Sequence, residues 1–120
     1  MENLRFLNEA HVRGIRGEYG TPAYVYDEET LRAYAKALLA TPNAYGLTAR
    51  FAMKASPCTA VVQIFSGMGL HVDCSSGYEA ERALRAGVSP SHIQITAQQL
   101  PRNLRELVEQ GVLFTSCSLH

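Results

Sequence analysis

The sequence predicts an α/β fold in which short parallel strands alternate with helices. Three observations predict it: apolar strand-like segments recur at intervals of about twenty residues from residue 49 onward, segments with helical spacing separate them, and glycines end those helices. Such alternation requires a parallel sheet with helices packed against it. Two architectures share the pattern, an open doubly wound sheet and a closed eight-stranded barrel.

The individual strands and helices can be placed from residue type and periodicity. We expect strands in the segments AYVYD (23–27), ARFAMK (49–54), LHVDC (70–74), HIQIT (92–96) and VLFTS (112–116). We expect helices in the segments EETLRAYAKALLA (28–40), TAVVQIFSG (59–67), YEAERALRAG (78–87) and RNLRELVEQ (102–110). Residues 1–22 are expected to form a separate N-terminal segment.

Composition limits the classes of function. The chain has 120 residues, 47% of them hydrophobic, which suits one globular domain. Its formal net charge is zero, so neither nucleic acid nor an anionic membrane surface is expected as a partner. The three cysteines include no Cys-x-x-Cys pair, which argues against a disulfide framework and a zinc site. Because no secretory signal and no membrane-spanning run is recognised, we expect a cytoplasmic protein.

Lys54 and Asp73 are the first candidates for chemistry. Each lies at or near the carboxyl end of a predicted strand, where the catalytic groups of parallel α/β proteins collect. Neighbouring parallel strands lie about 4.8 Å apart, so the two side chains can point into one pocket, where the carboxylate would orient or charge-balance the amine. The alternative interpretation is a strand-end lysine paired with an adjacent aspartate for solubility.

The segment Ser76-Gly77-Tyr78-Glu79 fits the capping box of a helix N-terminus. In that interpretation the Ser76 side chain accepts a hydrogen bond from the amide of Glu79, and the Glu79 side chain bonds back to the amide of Ser76. The functional alternative is that Glu79 faces the pocket, where the start of the helix presents its N–H groups to an anion.

The histidines and cysteines are expected to be structural. His71 shares a strand face with Asp73, but the other histidines form no set with it, so we expect a packed polar residue and no metal site. Cys74 lies on the opposite strand face and is expected to pack against a helix. Cys58 is expected to be exposed enough to react, but no base is assigned to it.

In order and spacing, the segments GTPAYVYD, FAMKASP, LHVDCSSGYEAERALRAGVSP and HIQIT resemble the N-terminal half of the fold type III pyridoxal-phosphate-dependent decarboxylases, most closely the diaminopimelate decarboxylases. The resemblance covers about residues 14–120. It implies the N-terminal half of a pyridoxal-phosphate-binding (β/α)8 TIM barrel of the alanine racemase type. Residues 23–120 would be a partial barrel domain that lacks the second half-barrel and a β domain. Since a complete barrel needs roughly 250 residues, we expect a fragment or a truncated reading frame.

The resemblance also implies an activity, a cofactor and site residues. The activity is that of a lyase of lysine biosynthesis, which converts meso-diaminopimelate to L-lysine and carbon dioxide with pyridoxal 5'-phosphate as cofactor. Lys54 would bind the cofactor covalently, Asp73 would be the active-site aspartate, and Glu79 would belong to the cofactor site. A lysine in that role must be a free amine part of the time, which partial burial at a strand end favours. The implied partners are a small amino-acid substrate and a second subunit in a homodimer.

The chain departs from the family pattern in two places. Lys54-Ala55-Ser56 stands where Lys-Ala-Asn is common, and Gln98-Gln99-Leu100-Pro101 stands where a glycine and then a lysine usually occur. The substrate therefore stays open, and another basic amino acid or a polyamine precursor is the alternative. An alanine racemase is disfavoured, because the Tyr-Gly-His-Gly stretch expected soon after its lysine is absent.

Two further alternatives do not require decarboxylation. One is a cofactor carrier with the same barrel and no turnover, and the other is a non-catalytic interaction fragment with an unpaired sheet edge. In the family, the phosphate-binding glycine loop and the glutamate that contacts the pyridine nitrogen lie beyond the part that residues 14–120 resemble. The fragment is therefore expected to be inactive by itself.

Overall fold

A computed structural model of the chain describes residues 6–116 and 118. Within this part the chain forms a parallel sheet with strands β1 (Arg50–Ala52), β2 (His71–Cys74), β3 (Ile93–Ile95) and β4 (Leu113–Phe114). The helices are α1 (Glu9–Tyr19), α2 (Glu28–Leu39), α3 (Thr59–Gly67), α4 (Gly77–Arg85) and α5 (Leu104–Glu109). None of the described helices is long and apolar enough to cross a membrane.

The four strands pair in chain order, β1-β2-β3-β4. Helices α3, α4 and α5 each connect one strand to its parallel neighbour. A doubly wound sheet reverses direction at a switch point, whereas a barrel adds each strand on the same side of the previous one. The described strands therefore have the order of a barrel wall, as the family resemblance implies.

The two faces of the sheet differ in composition. One face is fully buried and carries Val72, Cys74, Ile93 and Ile95. This face packs against α4 through Ala80 and against α5 through Leu107. The other face carries His71 and Asp73 of β2 and Gln94 of β3, and these side chains are partly exposed. The alternation along each strand thus separates an apolar core from a polar face, and Cys74 lies in the core as predicted.

Helix α2 packs on α3 beside the edge of the sheet. Their contact is a second apolar cluster that includes Ala35, Val61, Phe65 and Leu70. The rings of Phe51 in β1 and Phe65 in α3 lie 4.6 Å apart between centroids. Helix α3 therefore has one buried face, which carries Val61, Val62 and Phe65.

The first predicted strand is wrong and one helix was not predicted. Residues 23–27 form no strand, and the side chain of Tyr24 is 94% exposed. A strand needs a neighbour for its backbone groups, and none of the described strands pairs with this segment. Within the predicted N-terminal segment, α1 begins after Asn8, whose side chain accepts from the amide of His11 at 2.9 Å. Asn8 followed by Glu9 is a recognisable helix start.

Candidate active site

Lys54 lies directly after β1, in a single 3-10 turn at Met53–Ala55. Met53 is fully buried in the core and anchors this turn, while Lys54 is exposed. The predicted partial burial of Lys54 is therefore wrong. The strand ends at Ala52 rather than at Lys54, and the turn carries the lysine out of the apolar layer. Among the described residues, none forms an ion pair with the Lys54 ammonium.

Asp73 lies in β2, the strand next to β1. Ala52 and Asp73 are opposite each other in the register of the two strands, so Lys54 lies just beyond Asp73 toward the carboxyl end. The Asp73 carboxylate accepts a hydrogen bond from the hydroxyl of Thr96, with an Oγ1–Oδ1 distance of 2.7 Å. The sequence brings Lys54 and Asp73 to adjacent strands as expected, but the bonded partner of Asp73 is Thr96, which sequence analysis did not single out.

Ser76 and Glu79 close the turn between β2 and α4. Ser76 Oγ accepts from the amide of Glu79 at 3.2 Å, as the capping box predicts. Glu79 Oε2 accepts from the amide of Ser75 at 2.7 Å, one residue before the predicted Ser76. The Glu79 carboxylate therefore holds the backbone of the turn, which lies beside the cleft that Lys54 lines.

A close contact joins the start of α4 to the loop between β3 and α5. A Cβ atom at Gly77 would lie 2.5 Å from Asn103 Oδ1 and 3.0 Å from Pro101 Cβ. Asn103 also donates to Glu81 Oε1 at 2.6 Å. Because Gly77 has no side chain, the β3–α5 loop can lie directly against α4.

Lys54 opens onto a cleft of about 930 Å³ at the carboxyl end of the strands. Its lining comes from three segments: the turn after β1, the start of α4, and the β3–α5 loop. Lys54, Ser76, Thr96 and Arg102 belong to this lining. The volume lies within the range of roughly 300–1,000 Å³ typical of small-molecule sites. The lining includes a primary amine, that of Lys54, and a guanidinium, that of Arg102, which suit an anionic ligand with a reactive carbonyl.

Two buried sulfur atoms lie at these strand ends. Met53 Sδ and Cys74 Sγ are 4.0 Å apart, and both side chains are fully buried. Burial first, and then the Glu79 and Asp73 carboxylates, raise the pKa of the Cys74 thiol to about 12. The thiol is therefore neutral near pH 7, and Cys74 serves as packing rather than as a nucleophile.

The amino end of the sheet carries a histidine pair. The rings of His71 and His92 stack with centroids 3.9 Å apart and an interplanar angle of 19°. The contact with His92 was not predicted, whereas the packing of His71 was. Burial, and then the charges of His92 and Arg50, lower the pKa of His71. The described residues contain no cluster of His, Cys, Asp and Glu side chains that could hold a metal ion. Cys117 and His120 lie outside the described residues.

Comparison with known families gives one match over most of the chain. The family described as "Pyridoxal-dependent decarboxylase, pyridoxal binding domain" matches residues 28–118. This range begins at α2 and includes all four strands and the cleft.

Individual proteins similar to the chain point the same way. The diaminopimelate decarboxylase of Zymomonas mobilis is 40% identical over 103 residues, which cover 82% of this chain and 24% of that protein. That of Streptomyces coelicolor is 36% identical over 111 residues, which cover 88% of this chain and 24% of that protein. The chain therefore spans about a quarter of the length of these relatives.

A solved structure has a similar fold. The lysine/ornithine decarboxylase of Vibrio vulnificus, complexed with putrescine, matches with a TM-score of 0.78 and 23% sequence identity. The match covers 90% of this chain and 30% of that one. This likeness concerns the fold of the chain.

Proposed function

This chain belongs to the family of pyridoxal-dependent decarboxylases, and we propose that it forms the cofactor-anchoring part of an amino-acid decarboxylase. The observation that carries the proposal is the position of Lys54. Its amine follows β1 at the carboxyl end of the sheet, is exposed, and opens onto a cleft of about 930 Å³. In barrels of parallel strands, active sites lie at this end.

Pyridoxal phosphate fits the groups that the cleft presents. Lys54 would hold its aldehyde carbon covalently, because an exposed amine is available for such a bond. Asp73 would balance the positive charge near Lys54 while Thr96 holds its carboxylate. Glu79 would serve the site indirectly by holding the amide of Ser75 in the turn before α4. When bound, the cofactor supplies a ring that takes up the electron pair left by departing carbon dioxide.

The side chains of this chain have separate tasks in that reaction. The Lys54 amine would hold the cofactor, and this task would require a side chain that can move between the cofactor and the open cleft. Its four-carbon chain and exposed position allow this motion. The β3–α5 loop, held against α4 at Gly77 and Asn103, forms a fixed wall that orients the substrate.

The proposed substrate is meso-diaminopimelate, which would give L-lysine and carbon dioxide. Support comes from relatives with that activity in their names, at 40% and 36% identity. The second candidate is another basic amino acid or a polyamine precursor. The lining of the cleft supports this second candidate. Gln98, Gln99 and Leu100 line the cleft at positions where the family usually has a glycine and a lysine.

Decarboxylation by the complete protein tests this proposal. The protein is supplied with pyridoxal phosphate and, in parallel, with meso-diaminopimelate, lysine, ornithine and arginine, and carbon dioxide release is measured. We expect release from meso-diaminopimelate at least about tenfold faster, in kcat/KM, than from the others. Faster release from ornithine or arginine favours the second candidate, and no release from any amino acid rejects the decarboxylase. The 120 residues by themselves are expected to give no turnover.

Assembly and compartment complete the proposal. We propose that the complete protein is a homodimer with active sites at the subunit interface, as the family resemblance implies. Residues 1–22 would be an N-terminal segment and residues 23–120 part of the barrel domain. Cys58 and Cys74 are free thiols, which suits the reducing cytoplasm proposed as its compartment.

A further inference from the structure

We propose that Thr96 is a positioning residue: its hydroxyl fixes the Asp73 carboxylate so that one oxygen stays free to accept a hydrogen bond from the Lys54 amine and orient it. The inference rests on the proposed function of Lys54 and Asp73 in the cofactor site. It adds a residue from a third segment of the chain, at the carboxyl end of β3, to that site.

The contact between Thr96 and Asp73 is well defined. The Oγ1–Oδ1 distance of 2.7 Å is typical of a hydroxyl that donates to a carboxylate. The backbone amide of Thr96 also donates to the carbonyl oxygen of Cys74 at 2.9 Å. Backbone and side chain of Thr96 are therefore both attached to β2, at two consecutive residues, which limits the rotamers open to Asp73.

This contact leaves Asp73 with an unused acceptor. Thr96 occupies Oδ1, and no hydrogen bond to Oδ2 is formed within residues 6–116. Lys54 lies just beyond the position opposite Asp73 in the register of β1 and β2. Its long side chain can turn toward a carboxylate that is already oriented, whereas a freely rotating carboxylate would have to be ordered at the same time.

Thr96 also lies close enough to the proposed cofactor site for its substitution to change the reactivity of Lys54. It is exposed and lines the same cleft as Lys54. A purely structural role for its hydroxyl would change the stability of the fold and leave the reactivity of Lys54 unchanged. The two roles can therefore be separated by experiment.

Thr115 offers a matched control on the next strand. Its amide donates to the carbonyl oxygen of Ile95 at 2.9 Å, just as that of Thr96 donates to Cys74. Its hydroxyl accepts from Gln94 Nε2 at 2.6 Å. Thr115 is thus an exposed threonine beyond a strand end with a side-chain partner on its neighbour, but its partner is not Asp73.

The test measures how fast Lys54 captures the cofactor. The complete protein and its Thr96→Val, Thr96→Ser and Thr115→Val variants are mixed with pyridoxal phosphate, reduced with borohydride at timed intervals, and mapped by mass spectrometry. We expect Thr96→Val to slow modification of Lys54 about tenfold, since a hydrogen bond to a charged group is lost. Thr96→Ser and Thr115→Val should stay within about twofold of the unchanged protein. Lys36, exposed on α2, reports non-selective modification and should not change.

The outcomes separate the inference from the proposed function. If the unchanged protein modifies Lys54 no faster than Lys36, the proposed function fails. If Lys54 is selective but Thr96→Val matches Thr115→Val, the function stands and the role of Thr96 is rejected. If Thr96→Val also lowers the melting temperature, a double variant distinguishes a role through Asp73 from a general loss of stability. Added to Asp73→Asn, Thr96→Val should cause no further slowing, whereas independent slowing contradicts the role.

Discussion

The carboxyl and amino ends of the sheet both carry polar side chains, but these face different surroundings. At the carboxyl end, Lys54 and Thr96 line an open cleft. At the amino end, His71 and His92 stack on each other, and Arg50 Nε and His71 Nδ1 are buried without a hydrogen-bond partner among the described residues. The polar groups at the carboxyl end can thus contact a ligand, whereas those at the amino end are packed against one another.

The difference follows from where each residue lies relative to its strand. Arg50 and His71 are the first residues of β1 and β2, so their side chains are fixed to the face of the sheet. Lys54 and Thr96 follow β1 and β3 and are both exposed, Lys54 in a 3-10 turn and Thr96 directly after the strand. A change at the carboxyl end should therefore alter chemistry more than stability, and a change at the amino end should do the reverse.

The largest effect is expected for Lys54→Arg. Arginine keeps the charge but stays protonated, so it cannot replace the amine. We expect loss of decarboxylation by more than about 1,000-fold, with the free energy of unfolding changed by less than about 0.5 kcal/mol because the side chain is exposed. The measurements are carbon dioxide release and urea unfolding. Lys36→Arg is the control and should change neither, and activity retained in Lys54→Arg would refute the assigned role of Lys54.

Gly77→Ala tests the wall of the cleft and should have an intermediate effect. The added Cβ would meet Asn103 Oδ1 at 2.5 Å and Pro101 Cβ at 3.0 Å, so the Asn103 side chain, which also bonds to Glu81, must shift and Pro101 must give way slightly. We expect a loss of about 1–3 kcal/mol in the free energy of unfolding, measured by urea unfolding. Gly67→Ala, at the end of α3 with nothing within 4 Å of the new Cβ, is the control and should cost nothing. Equal effects of the two changes would mean that the contact at Gly77 is not required.

The smallest effect is expected at the amino end, from His71. Burial, then His92 and Arg50, hold the pKa of His71 below its ordinary value of 6.5. As pH falls below 6.5, the unfolded chain takes up a proton that the folded chain resists, so the free energy of unfolding decreases; above 6.5 this contribution is constant.

Urea unfolding between about pH 5 and pH 8 measures this dependence. His71→Gln should flatten it, whereas His11→Gln, on exposed α1, should leave it unchanged. A full pH dependence in His71→Gln would show that another group is responsible.

The elements that can be predicted best from the sequence are those whose structure depends on short-range periodicity. Helix α3 occupies the predicted residues Thr59–Gly67, and four of the predicted strands are present, each shorter than expected. The alternation in β2 places Asp73 and Cys74 on opposite faces, as predicted. The strand predicted for AYVYD was wrong because this segment has no neighbouring strand among the described ones. The β-forming residues of a segment do not show whether it has a strand to pair with.

The site was predictable in part for the same reason. Lys54 could be placed at a strand end from the sequence, but its exposure depends on the turn that Met53 anchors. The bond from Thr96 to Asp73 depends on the pairing of β2 with β3, which a single sequence does not give. One indication of the role of Thr96 was present in the sequence: it is a polar residue at the carboxyl end of the predicted strand HIQIT, and Lys54 also lies at the carboxyl end of a predicted strand.

Peptide mapping of the complete protein after reduction with borohydride in the presence of pyridoxal phosphate tests the central claim most directly. Residues 1–120 contain two lysines, exposed Lys36 on α2 and Lys54 in the cleft, so the chain carries its own reference. If the carboxyl end of the sheet anchors the cofactor, a pyridoxyl group will accumulate on Lys54 and stay near background on Lys36. Equal modification of the two lysines, or none on Lys54 in the folded protein, would contradict that claim.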